Sequence, residues 1–327
     1  LAAAVVPGWK LLQRDPEARP VEGDERPVRI VVLPFENLGS PEDAYFASGM
    51  AEEITSRLAN VRELGVISRT TATGYDRRGK TIKDVGNDLR VDFVLEGSVR
   101  WEHSEGRESR VKISPQLIRV ADDTHVWAER YDRVLADVFA IQSEVAENAV
   151  KAMGVTLLPR ERTKLKEIST DDIEAYGRYL QGRAFSQLGI ARQTVESSLQ
   201  MYQAAVDRDP HFAQAYAGLA RAHVSMYFLH YDRTQGRIRV AKEAAERAVK
   251  LRPDLAETHT ALGWYLYQGL LDYPRALRAF SAALKIQANN SDALHGTCAV
   301  LRRQGRWAEA IDAIGRAAEL DPRNAQI

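Results

Sequence analysis

The sequence predicts an α/β amino-terminal domain, a mixed sheet in the order βαβαβββα, followed by an all-α solenoid of helical repeats. Three observations predict this. Helix-sized segments in the last third close on Asp209-Pro210, Arg252-Pro253 and Asp321-Pro322, and Ala288 stands at the equivalent break between the second and third. Ser291 to Asn324 spans 34 residues and sets small or apolar residues at Leu294, Cys298, Leu301, Ala310, Ile314 and Ala317, the pattern of a stacked helix pair. The first half instead alternates β-branched apolar runs with segments that are apolar at helical spacing.

The elements follow in order. Leu1 to Pro7 is an apolar stub, too short to cross a bilayer, which takes about 20 apolar residues. It suits either the last turns of a tether helix with Trp9 at the interface or a disordered boundary. Gln13 to Pro27 is charged and proline-containing, a linker. Ile30-Val31-Val32-Leu33 reads as a buried strand. Pro41-Glu42-Asp43 opens a helix with Phe46, Met50, Ile54 and Leu58 on one face. Val66-Ile67 starts a second strand, Thr70 to Lys80 reads as a polar loop, and Ile82, Val85 and Leu89 share a second helical face. A third strand runs from Phe93 through Trp101, His103 to Arg110 forms a hairpin loop, and Val111 to Val120 returns. Val126 to Tyr131 gives one short last strand, and Val138, Ile141, Val145 and Val150 mark a closing helix.

Five blocks within this half carry a family resemblance: Val32 to Leu38, Tyr45 to Met50, Leu95 to Arg100, Gln116 to Ile118 and Trp127 to Asp132. Together they resemble the TolB amino-terminal-like domain that precedes tetratricopeptide repeats in bacterial multidomain signalling proteins, and the helical repeats have the tetratricopeptide spacing. The resemblance divides the chain into a membrane-proximal stub and linker (1–27), the α/β domain (28–158), a connector (159–171) and about four repeats (172–327), the first of them atypical. It implies a sensory or scaffold region tethered on the extracytoplasmic side of a bacterial inner membrane. The expected output domain, absent from this chain, is a Ser/Thr kinase, a class III cyclase or a winged-helix regulator.

In tetratricopeptide arrays the first helix of each pair lines a concave groove. Carried over, those positions give Gln214, Arg221 and Ser225; Glu257, Thr260, Trp264, Tyr267 and Gln268; and Asp292, His295, Arg302 and Arg303. Of these, Arg221, Trp264, Tyr267, Gln268, His295, Arg302 and Arg303 form the candidate partner-binding set, because Trp, Tyr and Arg dominate binding hot spots and Arg clamps carboxylates. The expected partner is a protein or peptide with acidic character. The exposed end face of the array also admits a second copy of the chain.

Composition fits a binding role. Lys plus Arg equals Asp plus Glu at 45 each across 327 residues, which leaves no basic excess for nucleic acid. The seven His and the lone Cys298 form no His-Glu-x-x-His or Cys-x-x-Cys motif, so neither a metal, a cofactor nor catalysis is expected. Cys298 reads as a packed core residue. Glu52-Glu53 read as a solvated helix face, and Glu96, with Val94 on one face of its strand, has Arg100 and Arg130 as candidate structural partners. Two rival functions remain: a nucleotide or sugar sensor with a cleft near the Asp43 to Met50 helix start, and a soluble cytoplasmic adaptor.

Overall fold

The computed structural model describes residues 27–102 and 109–321. The expected stub and linker, most of the hairpin loop after His103, and the chain from Pro322 onward lie outside them.

The described residues build a seven-stranded mixed sheet. Strand β1 (Val28–Val32) lies between β3 (Leu64–Val66) and β4 (Phe93–Glu102), parallel to both, and β2 (Glu36–Asn37) continues alongside β4. Strand β5 (Arg110–Arg119) returns antiparallel to β4. The single last strand expected over Val126 to Tyr131 is two, β6 (Thr124–Ala128) and β7 (Tyr131–Val134). Both pair with β5, one at each end, because the chain breaks register at Glu129-Arg130.

Period-two alternation divides β1 between two cores. Ile30 and Val32 face helices α1 (Ala44–Leu58) and α4 (Val138–Ala152), whereas Val31 and Leu33 face α2 (Arg69–Gly74) and α3 (Ile82–Leu89). Helix α2 occupies part of the stretch expected to be a loop. Ser68 caps it by accepting from the Thr71 amide, a local signal that its polar sequence hides. Thr81 and Asp84 form a capping box on α3, and Arg90 ends it in the left-handed region at φ 54°. Glu96 does lie on the Val94 face, but its partners are Arg77, by an ion pair, and Gln116, whose Nε2 donates at 2.7 Å, rather than Arg100 or Arg130.

Helix α5 (Pro159–Leu165) intervenes in the connector, so α4 does not itself lead into the repeats. Four antiparallel pairs follow: α6 (Ile173–Gln187) with α7 (Arg192–Arg208), α8 (Ala213–Phe228) with α9 (Gln235–Leu251), α10 (Ala256–Trp264) with α11 (Tyr273–Ile286), and α12 (Ser291–Arg303) with α13 (Trp307–Leu320). Helix α10 widens into a π turn over Tyr265–Gly269.

The stacking rests on one device used twice. Tyr202 of α7 is wedged between Gly182 and Gly218, where an added Cβ meets its ring at 2.8 and 2.6 Å. Phe280 of α11 is wedged between Gly263 and Gly296, at 2.5 and 2.3 Å. A large ring on the second helix of a pair thus fills a notch that two glycines leave on the first helices either side.

Candidate functional site

The first helices bring part of the predicted set together. The Arg221 guanidinium of α8 lies over the Trp264 ring of α10, 4.5 Å from its centre. Trp264 Nε1 donates to Asp292 Oδ1 at 2.9 Å, Arg221 Nη2 stands 3.8 Å from the same oxygen, and the His295 ring meets Trp264 edge-on at 5.5 Å. Burial pulls the Arg221 guanidinium below its ordinary value despite Asp292, and its Nη1 is shielded from solvent without a hydrogen-bond partner among the described residues. Burial, opposed by Asp292 and reinforced by Arg221 and Arg302, likewise keeps His295 below its usual value and so neutral at pH 7.

Trp264 is only 4% exposed and Tyr267 is also buried, against Trp264 and Tyr273. Both brace the surface from beneath instead of presenting rings to a partner. Gln268 and His295 are half-buried, and Arg302 and Arg303 are exposed. A hydrogen bond to Tyr267 holds the Arg303 guanidinium above its ordinary value. Cys298 is half-buried, not packed in the core as its small-residue position suggested. Burial raises its thiol, which keeps it protonated and unreactive.

The α/β domain lies against part of the inner face of the array. Gly49 of α1 lets the backbone approach α6, where an added Cβ would meet Leu180 at 2.5 Å. One turn on, Glu52 is 6% exposed and receives Arg183 Nη2 at 2.6 Å, Arg69 Nη1 at 3.4 Å and a hydrogen bond from Gln187. Burial works to raise the Glu52 carboxyl, but Arg183, Arg69 and these hydrogen bonds outweigh it and hold the group below its usual range. The expectation of a solvated Glu52-Glu53 face is therefore wrong, since that face lies against α6 and the connector. Two predicted groove positions are also spent within the chain: Glu257 accepts from Ser56 at 3.1 Å, and Gln214 donates to Ser169 at 2.6 Å.

Sequence reasoning missed Glu52, Arg69 and Arg183. The available signal was a pair of glutamates following Gly49 in the middle of an apolar helix. Beside the start of α1, between Val32, Pro34, Ser48, Glu52 and Arg69, the free space is about 10 Å³, room for about one water and not for a nucleotide or sugar. Among the described residues, no group of three or more His, Cys, Asp or Glu is placed to hold a metal, and no helix is long and apolar enough to cross a membrane.

Residues 266–325 match the tetratricopeptide repeat family. A Rhizobium meliloti (strain 1021) protein named "Putative adenylate cyclase 3" is 36% identical over 192 residues, which are 58% of this chain and 32% of that protein. The chain therefore spans about a third of the length of that relative. Among solved structures, a thermophilic tetratricopeptide-repeat protein of Thermus thermophilus is similar over 57% of this chain and 85% of its own, at 20% identity and a TM-score of 0.40. A PelC dodecamer from Paraburkholderia phytofirmans covers 40% of this chain and 91% of its own, at 14% identity and a TM-score of 0.29. With its paired helices and the matched segment at its end, the helical half of this chain is built of tetratricopeptide-like helix pairs.

Proposed function

We propose that this chain is a non-catalytic interaction region that recognises an acidic protein or peptide segment through its repeat array. The observation that carries the reading is the Arg221–Trp264–Asp292–His295 cluster, flanked by Arg302 and Arg303, which make no ion pair among the described residues. A carboxylate has two exposed guanidinium groups to bind there, and the buried rings hold the helices that carry them.

The reading extends to a sensory or scaffold part of a larger bacterial signalling protein. The Rhizobium relative's name points to a cyclase as the attached output, and the resemblance to TolB amino-terminal-like domains points to a tether in the inner membrane. The gene sequence on either side tests that extension: about 20 apolar residues ahead of Leu1 support the tether, and a polar stretch there sinks it.

The binding claim is tested with fluorescein-labelled decaglutamate and decalysine peptides followed by anisotropy. Decaglutamate is expected to bind, and the double variant Arg302→Glu/Arg303→Glu to weaken it by about tenfold or more with an unchanged melting temperature, since both side chains are exposed. Equal affinity for the two peptides, or for the two chains, overturns it.

A further inference from the structure

The repeat array touches the α/β domain at both of its ends, and the two contacts differ in kind. At the first repeat the contact is a continuous apolar core with the buried Glu52–Arg183 pair beside it. Tyr176 of α6 meets Phe139 of α4 edge-on at 4.9 Å, Leu180 packs into the gap at Gly49, and Tyr176, Leu165 and Phe46 belong to one buried cluster. At the last repeat, hydrogen bonds cross between the two parts. Arg29 Nη2 donates to the Glu319 carbonyl at 2.6 Å, the Ser68 amide to the Leu320 carbonyl at 2.6 Å, Thr71 Oγ1 to Asp321 Oδ1 at 2.6 Å, and Asn289 Nδ2 to the Leu64 carbonyl at 2.9 Å. The Arg221–Trp264–Asp292–His295 cluster lies between the two ends, on the helices next to the point where Ser56 of α1 donates to Glu257 of α10 at 3.1 Å.

We propose that the polar end is a releasable clasp, and that its opening, with the apolar end as the hinge, uncovers the inner face of the array to the acidic segment. The claim rests on the function proposed above and adds its regulation. Parting the α6 end exposes Tyr176 and Leu180 to water, a loss proportional to the apolar area uncovered. Parting the α13 end exchanges protein hydrogen bonds for bonds to water, a nearly balanced exchange. An array in which each repeat touches only its neighbours accommodates such a swing through small rotations between repeats. A ligand that prefers the open state then shifts the equilibrium by its differential affinity alone. The exception within the clasp is Thr71 with Asp321, at 0% and 2% exposure, because removing either partner leaves the other short of a buried hydrogen bond. Thr71→Val therefore biases the clasp open more than the loss of a surface bond does.

The test combines hydrogen–deuterium exchange with decaglutamate titration on the whole chain. Thr71→Val is expected to raise amide exchange in α12, α13 and residues 64–72 by about tenfold and leave α6 and α7 at wild-type rates. It is also expected to raise affinity for decaglutamate about fivefold. Asp321→Asn, whose side-chain oxygen still accepts from Thr71, is expected to raise exchange in α13 less than Thr71→Val does. Should Thr71→Val fold poorly, Asn289→Ala, with its side-chain bond to the Leu64 carbonyl removed, gives the same exchange readout. Exchange that is unchanged, or that rises equally in α6 and α13, overturns the clasp, as does local opening with no gain for a peptide that binds the wild type. If decaglutamate binds neither chain while α13 alone loosens, the clasp is supported and the acidic-partner reading falls.

Discussion

His223 sits on α8, 4% exposed, with Nδ1 accepting from Arg237 Nη1 at 2.9 Å, so the neutral ring keeps its proton on Nε2. Burial, reinforced by the Arg237 charge, pushes its pKa down to about 4. The unfolded chain takes up that proton near pH 6.5 and the folded chain only near pH 4. The resulting stability is complete above pH 6.5 and disappears as the pH falls through that window. The shift corresponds to about 3 kcal/mol at most, so urea unfolding is expected to lose up to that much between pH 7 and pH 4, with a flatter profile in His223→Phe. Equal slopes for the two proteins remove His223 as the cause. Glu52 acts at lower pH: its depressed carboxyl adds stability above its unfolded value near 4.5, lost as the folded group protonates. Its larger effect is structural. Glu52→Ala leaves Arg183, 13% exposed, without its main counter-charge, and removing one member of a buried pair costs about 3–5 kcal/mol. Adding Arg183→Leu is expected to recover part of that loss in a double-mutant cycle, whereas strictly additive losses argue that the two residues do not act as a pair.

At the level of elements, the glycine notches are a sharper test of the fold than helix propensity. Gly296→Ala puts a methyl group into the Phe280 ring and is expected to cost about 1–3 kcal/mol, even though alanine is the better helix former by up to about 1 kcal/mol. Gly315 on neighbouring α13 is exposed and has nothing within 4 Å of an added Cβ, so Gly315→Ala is expected to stabilise by about 0.5–1 kcal/mol. Denaturant midpoints that move in the same direction for both variants contradict the notch. The notches were half legible in the sequence. Gly182, Tyr202, Gly263 and Phe280 stand at repeat-pattern positions, and the proline breaks fix where each pair ends. Helix α2 was not legible, because Arg69–Gly74 has no apolar periodicity and owes its helix to the Ser68 cap and to Ala72 and Tyr75 packing beneath the sheet. The split between β6 and β7 was equally hidden, since Val126 to Tyr131 alternates like one strand and only the partner β5 shows that two are needed. For the candidate site, residue type and helix position were readable at Arg221, Trp264 and His295. Their burial was not, because the partners that enclose Trp264, namely Arg221, Phe280, Asp292 and His295, come from other helices of the array.

For the whole molecule, the decisive feature is that one buried apolar cluster runs from Ile30 and Leu95 in the sheet through Phe139 and Tyr176 to Trp264 and Phe280 in the repeats. Repeat arrays alone contact only their neighbours and lose cooperativity as they lengthen. Here the α/β domain spans the array from α6 to α13, linking repeats that do not touch one another. Unfolding is therefore expected to be a single transition, with helical circular dichroism at 222 nm and tryptophan fluorescence coincident and the calorimetric enthalpy equal to the van't Hoff value. Tyr176 is the joint to cut: it is 1% exposed, meets Phe139 and Tyr179, and its hydroxyl accepts from Gln142 Nε2 at 2.7 Å. Tyr176→Ala removes an aromatic ring from this joint, at a cost of about 3–5 kcal/mol, and leaves Gln142 buried without its acceptor. The expected result is two separated transitions, sheet and repeats melting apart. A wild type that already unfolds in two steps shows that the halves are not coupled, and a Tyr176→Ala variant that melts lower without splitting shows that they are coupled elsewhere than at this joint.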